Sequence, residues 1–285
     1  MTPSFETRPS GTQIAAKAWR SSFEAFGKMK LLFLIALAIS LVFGLAVFYV
    51  PYLQFYVFGP PALTLESGTL AVYLAVEVVC TLVFAAVAAP AAVAVHRYIL
   101  TDWITTGPLS FGPRYTKSFF LWLAGMQMML ALLNVPLFST SEKSSFASVL
   151  AMFAVAILGV VISIRLIMVF PAIATEAPSE HWRARLAQSW KQMKGHSWLL
   201  ARAAIIAFLP LISVNVILWF LFGGLREAPD HGDLQYLSRL GLSLSFGIIR
   251  LAGIVLGAAV VSWLYAWVRQ QPSAAIEPTA DIMPN

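Results

Sequence analysis

Long apolar runs joined by short polar connections set the pattern of this chain. Six of them, at 31–53, 69–95, 118–138, 146–174, 198–222 and 240–268, come close to or exceed the ~20 residues a helix needs to cross the hydrocarbon of a bilayer. Lipid offers no partner to open backbone groups, so each run is predicted to be a helix. The third is the most polar, with Gln127, Asn134 and Pro136 inside it. Ahead of the first run, Ile14, Ala18, Phe23 and Phe26 recur at helical spacing, with Lys17, Arg20, Glu24 and Lys28 supplying the polar side. Ahead of the fifth, Trp182, Leu186, Trp190 and Met193 form a stripe backed by Arg183, Arg185, Gln188, Lys191 and Gln192, and Gly195 supplies a stop. Each predicts an amphipathic helix leading into a span. Such helices lie in the headgroup layer or pack on the bundle as plain elbows. The expected fold class is therefore all-α: a polytopic transmembrane helix bundle of six spans with amphipathic elbow helices on the cytoplasmic side. A single transmembrane domain covers 12–270, between tails at 1–11 and 271–285 that read as disordered.

Charge gives the spans a direction. Lys and Arg gather before the first span (Arg8, Lys17, Arg20, Lys28, Lys30), between the second and third (Arg97, Arg114, Lys117), between the fourth and fifth (Arg183, Arg185, Lys191, Lys194), and after the sixth (Arg269). The opposite connections carry Lys143, Arg226 and Arg239, and the first of them has no basic residue. By the positive-inside rule both termini are cytoplasmic. Trp19, Trp103, Trp122, Trp182, Trp190, Trp198, Trp263 and Trp267 fall near the same side, as expected of a boundary belt. The first run is too long for the core of a cleaved signal and follows a polar tail, so it reads as a retained anchor.

Composition agrees with a membrane setting. The chain is 59% hydrophobic and 11% charged, with mean hydropathy +0.79. A soluble domain carries about 25% charge. The net charge of +6 raises nucleic acid as a partner, but its basic residues flank apolar spans. Anionic lipid headgroups on the cytoplasmic face account for them better, so membrane lipids are the expected partner, and protein partners are not readable. The lone cysteine, Cys80, excludes an intrachain disulfide.

A faint repeat runs through the chain. Gly-Ile-Ile-Arg-Leu at 247–251 echoes Ile-Ser-Ile-Arg-Leu at 162–166, and the prolines at 90 and 171 have similar surroundings. Ser21 and Gly27 echo Ser189 and Gly195 at twice the period, which is about 84 residues. The repeat predicts three helical hairpins of one orientation.

Glu77, Arg165 and Arg250 lie inside spans, where a charge is costly and needs a reason. One reason is a polar path or substrate contact; the other is internal pairing that fixes helix register. Flanking charges put Glu77 and Arg250 at one depth and predict a contact between them, whereas the repeat matches Arg250 with Phe84. Gly253 with Gly257, and the stripe Ala36, Ser40, Gly44, allow close helix packing. Pro210 is a candidate kink in the fifth span, and Pro90 and Pro171 are expected to shape exits into the elbows. The four histidines are scattered, and HExxH, GxSxG, Walker A and GxGxxG motifs are missing. No catalytic, cofactor-binding or metal residue is assigned, and no cofactor is expected.

From Arg165 onward the residues follow a recognisable order: Pro171, Glu176, Leu186-Ala187, Ser189-Trp190, Lys194-Gly195 and Trp198. This run of about 34 residues resembles bacterial YciC-like proteins and the membrane domain found with some glycerophosphoryl diester phosphodiesterases. The resemblance implies a six-span bundle in a bacterial inner membrane. It marks Arg165, Pro171, Ser189, Gly195 and Trp198 as architectural positions. The soluble hydrolase domain has no counterpart here, so its activity does not carry over. The function class expected first is a non-enzymatic envelope or membrane-organising protein. The alternative is a transporter or lipid-handling protein with a cavity between hairpins, and a membrane enzyme comes third. A wide polar cavity holding Glu77, Arg165 or Arg250 favours transport; a tight apolar interior favours the organising role.

Overall fold

The computed structural model describes residues 8–49, 67–104, 113–138, 146–175, 182–226 and 232–271. Every regular element within them is an α-helix: α1 (Gly11–Lys28), α2 (Lys30–Tyr49), α3 (Ser67–Thr101), α4 (Pro113–Phe138), α5 (Phe146–Leu166), α6 (Val169–Thr175), α7 (Trp182–Gln192), α8 (Ser197–Arg226) and α9 (Gly232–Gln270). The tail expected at 1–11 is ordered from 8 onward, where Ser10 caps α1 and Gly11 opens it, because the capping box satisfies the first amides of the helix. The expectations placed on 1–7 and 272–285, on Lys143, Glu176 and His181, and on the side chains of Glu77, Arg114, Asn134, Pro136, Trp182, Arg226 and Arg239 lie outside the described residues or side chains.

Among the described residues, four helical stretches are long and apolar enough to cross a membrane: Val78–Thr101, Phe153–Thr175, Ser197–Phe222 and Leu240–Gln270. A fifth follows if Gly11–Lys28 and Lys30–Ala46, which meet at 98°, count as one broken span. The expected crossing at 118–138 is helical, in α4, but is not among them.

Helix α9 is the mast of the bundle, with α8, α2, α3 and α1 packed around it. Its contact with α2 is nearly backbone to backbone. A Cβ on Gly44 would stand 2.6 Å from the Ser243 carbonyl oxygen, and one on Gly247 would stand 2.5 Å from that of Ser40. The small-residue stripe of α2 therefore does form a close seam. Gly253 and Gly257 do not share in it: they face the ring of Phe208 at ordinary contact distance, 3.6 and 3.5 Å from a Cβ there.

Helix α1 begins with a reciprocal cap. Ser10 Oγ accepts from the Gln13 amide at 3.2 Å, and the Ser10 amide donates to Gln13 Oε1 at 2.9 Å. The helix has three faces rather than the two its spacing implied. Ile14, Ala15, Ala18, Ser21, Ser22 and Ala25 are buried, with α1 packed chiefly on α8 and α9. Phe23 and Phe26 are exposed beside Trp19, not buried with Ile14 and Ala18. Arg20, Glu24 and Lys28 occupy the third side. At 100° per residue the Trp19-Phe23-Phe26 strip is turned away from the Ile14-Ala18 stripe. Two indoles pin the helix down. Trp19 Nε1 donates to the Ala207 carbonyl at 3.0 Å, one turn before Pro210, and Trp263 Nε1 donates to Ser21 Oγ at 2.9 Å.

The prolines act differently from one another. Pro171 cannot donate to the Ile167 carbonyl four residues back. The Phe170 amide takes that carbonyl at 3.2 Å, and the helix breaks between α5 and α6. Pro90, expected to shape an exit, instead sits inside the unbroken α3. The chain leaves α3 at Asp102, whose φ is 53°. Pro210 also lies within one continuous helix, α8. Trp267, expected in the boundary belt, is buried, with His196 edge-on to its ring at 5.0 Å.

Candidate functional site

Each charge inside the apolar runs has to be stabilised by something nearby. Helix α9 carries Arg250 to the level of Phe84 in α3, where the guanidinium carbon stands 3.9 Å from the ring centroid. Its Nη2 donates to Gln127 Oε1 of α4 at 3.2 Å, and Phe246 lies on the same side at 5.6 Å. Cation–π contact is worth ~2 kcal/mol or more once both groups leave water. Of the two sequence rulers, the repeat named the ring that Arg250 meets. Glu77 lies seven residues from Phe84 on α3, about 10 Å along the axis. Its side chain is outside those described, and so is the expected contact with Arg250.

Next to Gln127 the bundle is hollow. A cavity of about 410 Å³ is walled by α3, α4, the α5–α6 break, α8 and α9. Its lining is almost wholly apolar: Phe119, Leu123, Met126, Ile164, Phe208 and Ile254 are representative. Gly253 and Gly257 line it too, so their missing side chains help make the space. Helices α5 and α8, which wall one side, barely touch each other. Two polar side chains reach the wall, Gln127 and His96. His96 is buried on α3, with Nδ1 2.7 Å from Ser262 Oγ of α9 and its ring 5.6 Å from that of Phe119.

No protein-family model, curated protein or solved structure matches this chain. The site has to be read from its own geometry.

Arg165, at the end of α5, holds the elbow rather than the cavity. Its guanidinium lies 5.4 Å from the Trp190 ring centroid, and its carbonyl accepts from Ser189 Oγ at 2.8 Å. Ser189 is buried, so α7 is fastened by Ser189 and Trp190 to the carbonyl and guanidinium of one residue of α5, Arg165. Gly195 turns the chain from α7 into α8 with φ +83°, a conformation that favours glycine. Pro171 is buried at the break before the elbow, and Trp198 is 70% exposed at the start of α8. Arg97 completes this end of the molecule. Its Nε donates to the Ala174 carbonyl in the last turn of α6 at 2.7 Å, and its guanidinium lies over Tyr115 at 4.4 Å.

The sequence singled out Arg165 and Arg250 and passed over His96, Gln127 and Ser262. Gln127 counted there only as a flaw in a span. A polar residue inside an apolar run was the signal that pointed to it. His96 gave none, because it stood as one of four scattered histidines outside any motif.

Proposed function

We propose that this protein is a non-enzymatic, multi-pass membrane protein of a bacterial inner membrane that binds the apolar chain of a lipid inside its helix bundle. The observation that carries this reading is the 410 Å³ cavity with its apolar wall. Pockets for small apolar ligands run from about 300 to 1,000 Å³ and combine an apolar lining with a few fixed polar groups. The weak contact between α5 and α8 supplies an entrance from the hydrocarbon. Both helices otherwise turn apolar side chains outward, such as Leu158 and Val161 on α5 and Ile205 and Leu209 on α8. The cavity is not the wide polar chamber a transporter of charged solutes needs. Nor is the interior packed solid, as a purely architectural role requires. Lipid handling is therefore favoured over both.

In this proposal α2, α3, α4, the α5–α6 pair, α8 and α9 make six crossings, with both termini cytoplasmic. Helix α1 lies in the inner headgroup layer, which suits its three faces: one on the bundle, Phe23 and Phe26 toward lipid tails, and Arg20 and Lys28 toward anionic headgroups. The likeness of 165–198 to YciC-like proteins is part of the same proposal and rests on the sequence.

The test is photo-crosslinking in nanodiscs with a phospholipid bearing a diazirine on one acyl chain. Label is expected in peptides covering 164–170 and 200–208. Ala204→Trp, which fills the cavity, should abolish label at the cavity-lining Ala201 and Phe208 and spare label at the outward Ile205 and Leu209. Equal labelling of the two proteins at Ala201 and Phe208 would remove the basis of the proposal.

A further inference from the structure

The cavity wall presents a hydrogen-bond acceptor that the described residues leave unused. Ser262 Oγ stands 2.8 Å from the Ala258 carbonyl and donates its single proton there. With that proton on the Ala258 carbonyl, the 2.7 Å contact with His96 Nδ1 is one in which the imidazole donates to the hydroxyl, the tautomer being assigned from the pairing. A neutral imidazole with its proton on Nδ1 has a bare lone pair on Nε2. His96 is 1% exposed, lines the cavity, and finds no donor for Nε2 among the described residues. The other polar side chain of the wall, Gln127, has its carbonyl oxygen committed to Arg250, so it offers the cavity amide donors and leaves His96 Nε2 as the acceptor.

A water is a poor occupant at this point. A buried water is held by two to four polar partners. Around His96 the wall offers Ala92, Phe119, Val260 and Val261. What fits is a molecule that is apolar along most of its length and ends in a donor.

We propose that the cavity is specific for a single-chain amphiphile bearing a hydroxyl, a long-chain lipid alcohol in chemical class. The ligand's O–H donates to His96 Nε2, and its chain runs between Phe119, Ile164 and Phe208 toward the seam of α5 and α8. A carboxylate is disfavoured, because its lone pairs oppose that of Nε2. An ether or ester of equal length reaches the same wall with no proton to give. This inference deepens the lipid-binding reading and rests on it.

The test uses the full chain in nanodiscs and a long-chain alcohol carrying a mid-chain diazirine. Unlabelled hexadecanol, its methyl ether and methyl palmitate are the competitors. Hexadecanol should suppress label at 164–170 and 200–208 at concentrations about tenfold lower than the ether or ester, the size of effect one hydrogen bond produces. In His96→Phe, which keeps a ring in place, the three competitors should become equivalent. Cavity label with equal competition in the unaltered protein would overturn the hydroxyl assignment and leave the lipid-binding reading standing. A preference for the ester would show that Nε2 carries the proton, and would overturn the assignment in the same way. No label in either peptide would overturn both. The comparison in the unaltered protein needs no variant, so a poorly folding His96→Phe does not protect the proposal.

Discussion

Single side chains decide where this molecule is sensitive to pH. His196 sits in the turn between α7 and α8, edge-on to Trp267, with Nδ1 buried and without a hydrogen bond. Burial pushes its imidazole below its ordinary value, and the Arg8 cation adds to that. The folded form therefore binds this proton less readily than the unfolded chain. Stability falls as pH drops through the unfolded value near 6.5 and is fully present above it. Glu24 titrates in a lower window, because Arg20, bonded to its carboxylate at 2.8 Å, holds the group below the usual 4.5. Thermal unfolding in detergent at pH 7 and pH 5, run on the unaltered protein and on His196→Gln, measures the share that His196 contributes. The melting temperature should drop between the two, and His196→Gln should flatten part of that drop, with buried His96 supplying the rest. An unchanged slope in the variant would assign the sensitivity to another group. None of this was legible in the sequence, where His196 was one of four scattered histidines. Its environment is made by Trp267, seventy-one positions away, which was itself expected in the membrane boundary.

Among elements, the α2–α9 seam and the fastening of α7 to α5 set the packing. Glycine matters in the seam because the neighbour is backbone. At Gly247 an added methyl meets the Ser40 carbonyl at 2.5 Å, and no rotamer change can move it away. Gly247→Ala should cost ~1–3 kcal/mol, the usual range for overpacking. Gly253→Ala meets only the rim of the Phe208 ring at 3.6 Å and should be neutral or slightly stabilising, since alanine favours the helix. Melting temperatures of the two variants side by side check this, and equal losses would contradict it. The sequence favoured neither site. It read both small-residue motifs as close contacts, because spacing reports a smooth helix face and not what lies opposite. The elbow was more legible. Ser189, Gly195 and Arg165 stood out in the run at 165–198, and each has a physical part there. Ser189→Ala removes its bond to the Arg165 carbonyl and should cost ~1 kcal/mol, visible as a lower melting temperature. Restoration by Ser189→Thr, which keeps the hydroxyl, would tie the loss to that bond; a loss that Thr leaves unrepaired would point to packing instead.

For the whole molecule, the all-helical class and four of the apolar runs were readable from periodicity and length, because lipid permits few other solutions. The cavity was not readable, since it depends on how α4, α8 and α9 diverge around small residues. Orientation rests on charge alone. Arg183, Arg185, Lys191 and Lys194 cluster at α7 and just beyond it, and Arg269 lies in the last turn of α9; the proposed orientation puts both on the cytoplasmic side, because carrying such charges across the bilayer is costly. Gln188 on α7 and Gln271 just after α9 are exposed and suit cysteine labelling. With Cys80→Ala removing the buried native thiol, Gln188→Cys and Gln271→Cys should resist a membrane-impermeant maleimide in spheroplasts and react in inverted vesicles. Lys143→Cys should do the reverse. The three positions are coupled by the number of crossings. If α4 did not cross, 143 and 188 would exchange sides while 271 stayed on the side of the first terminus only with an even number of remaining spans. Labelling of Gln188→Cys in spheroplasts would therefore break the six-crossing assignment. It would also put the basic elbow, with α7 docked on Arg165, in the compartment where anionic headgroups are scarce.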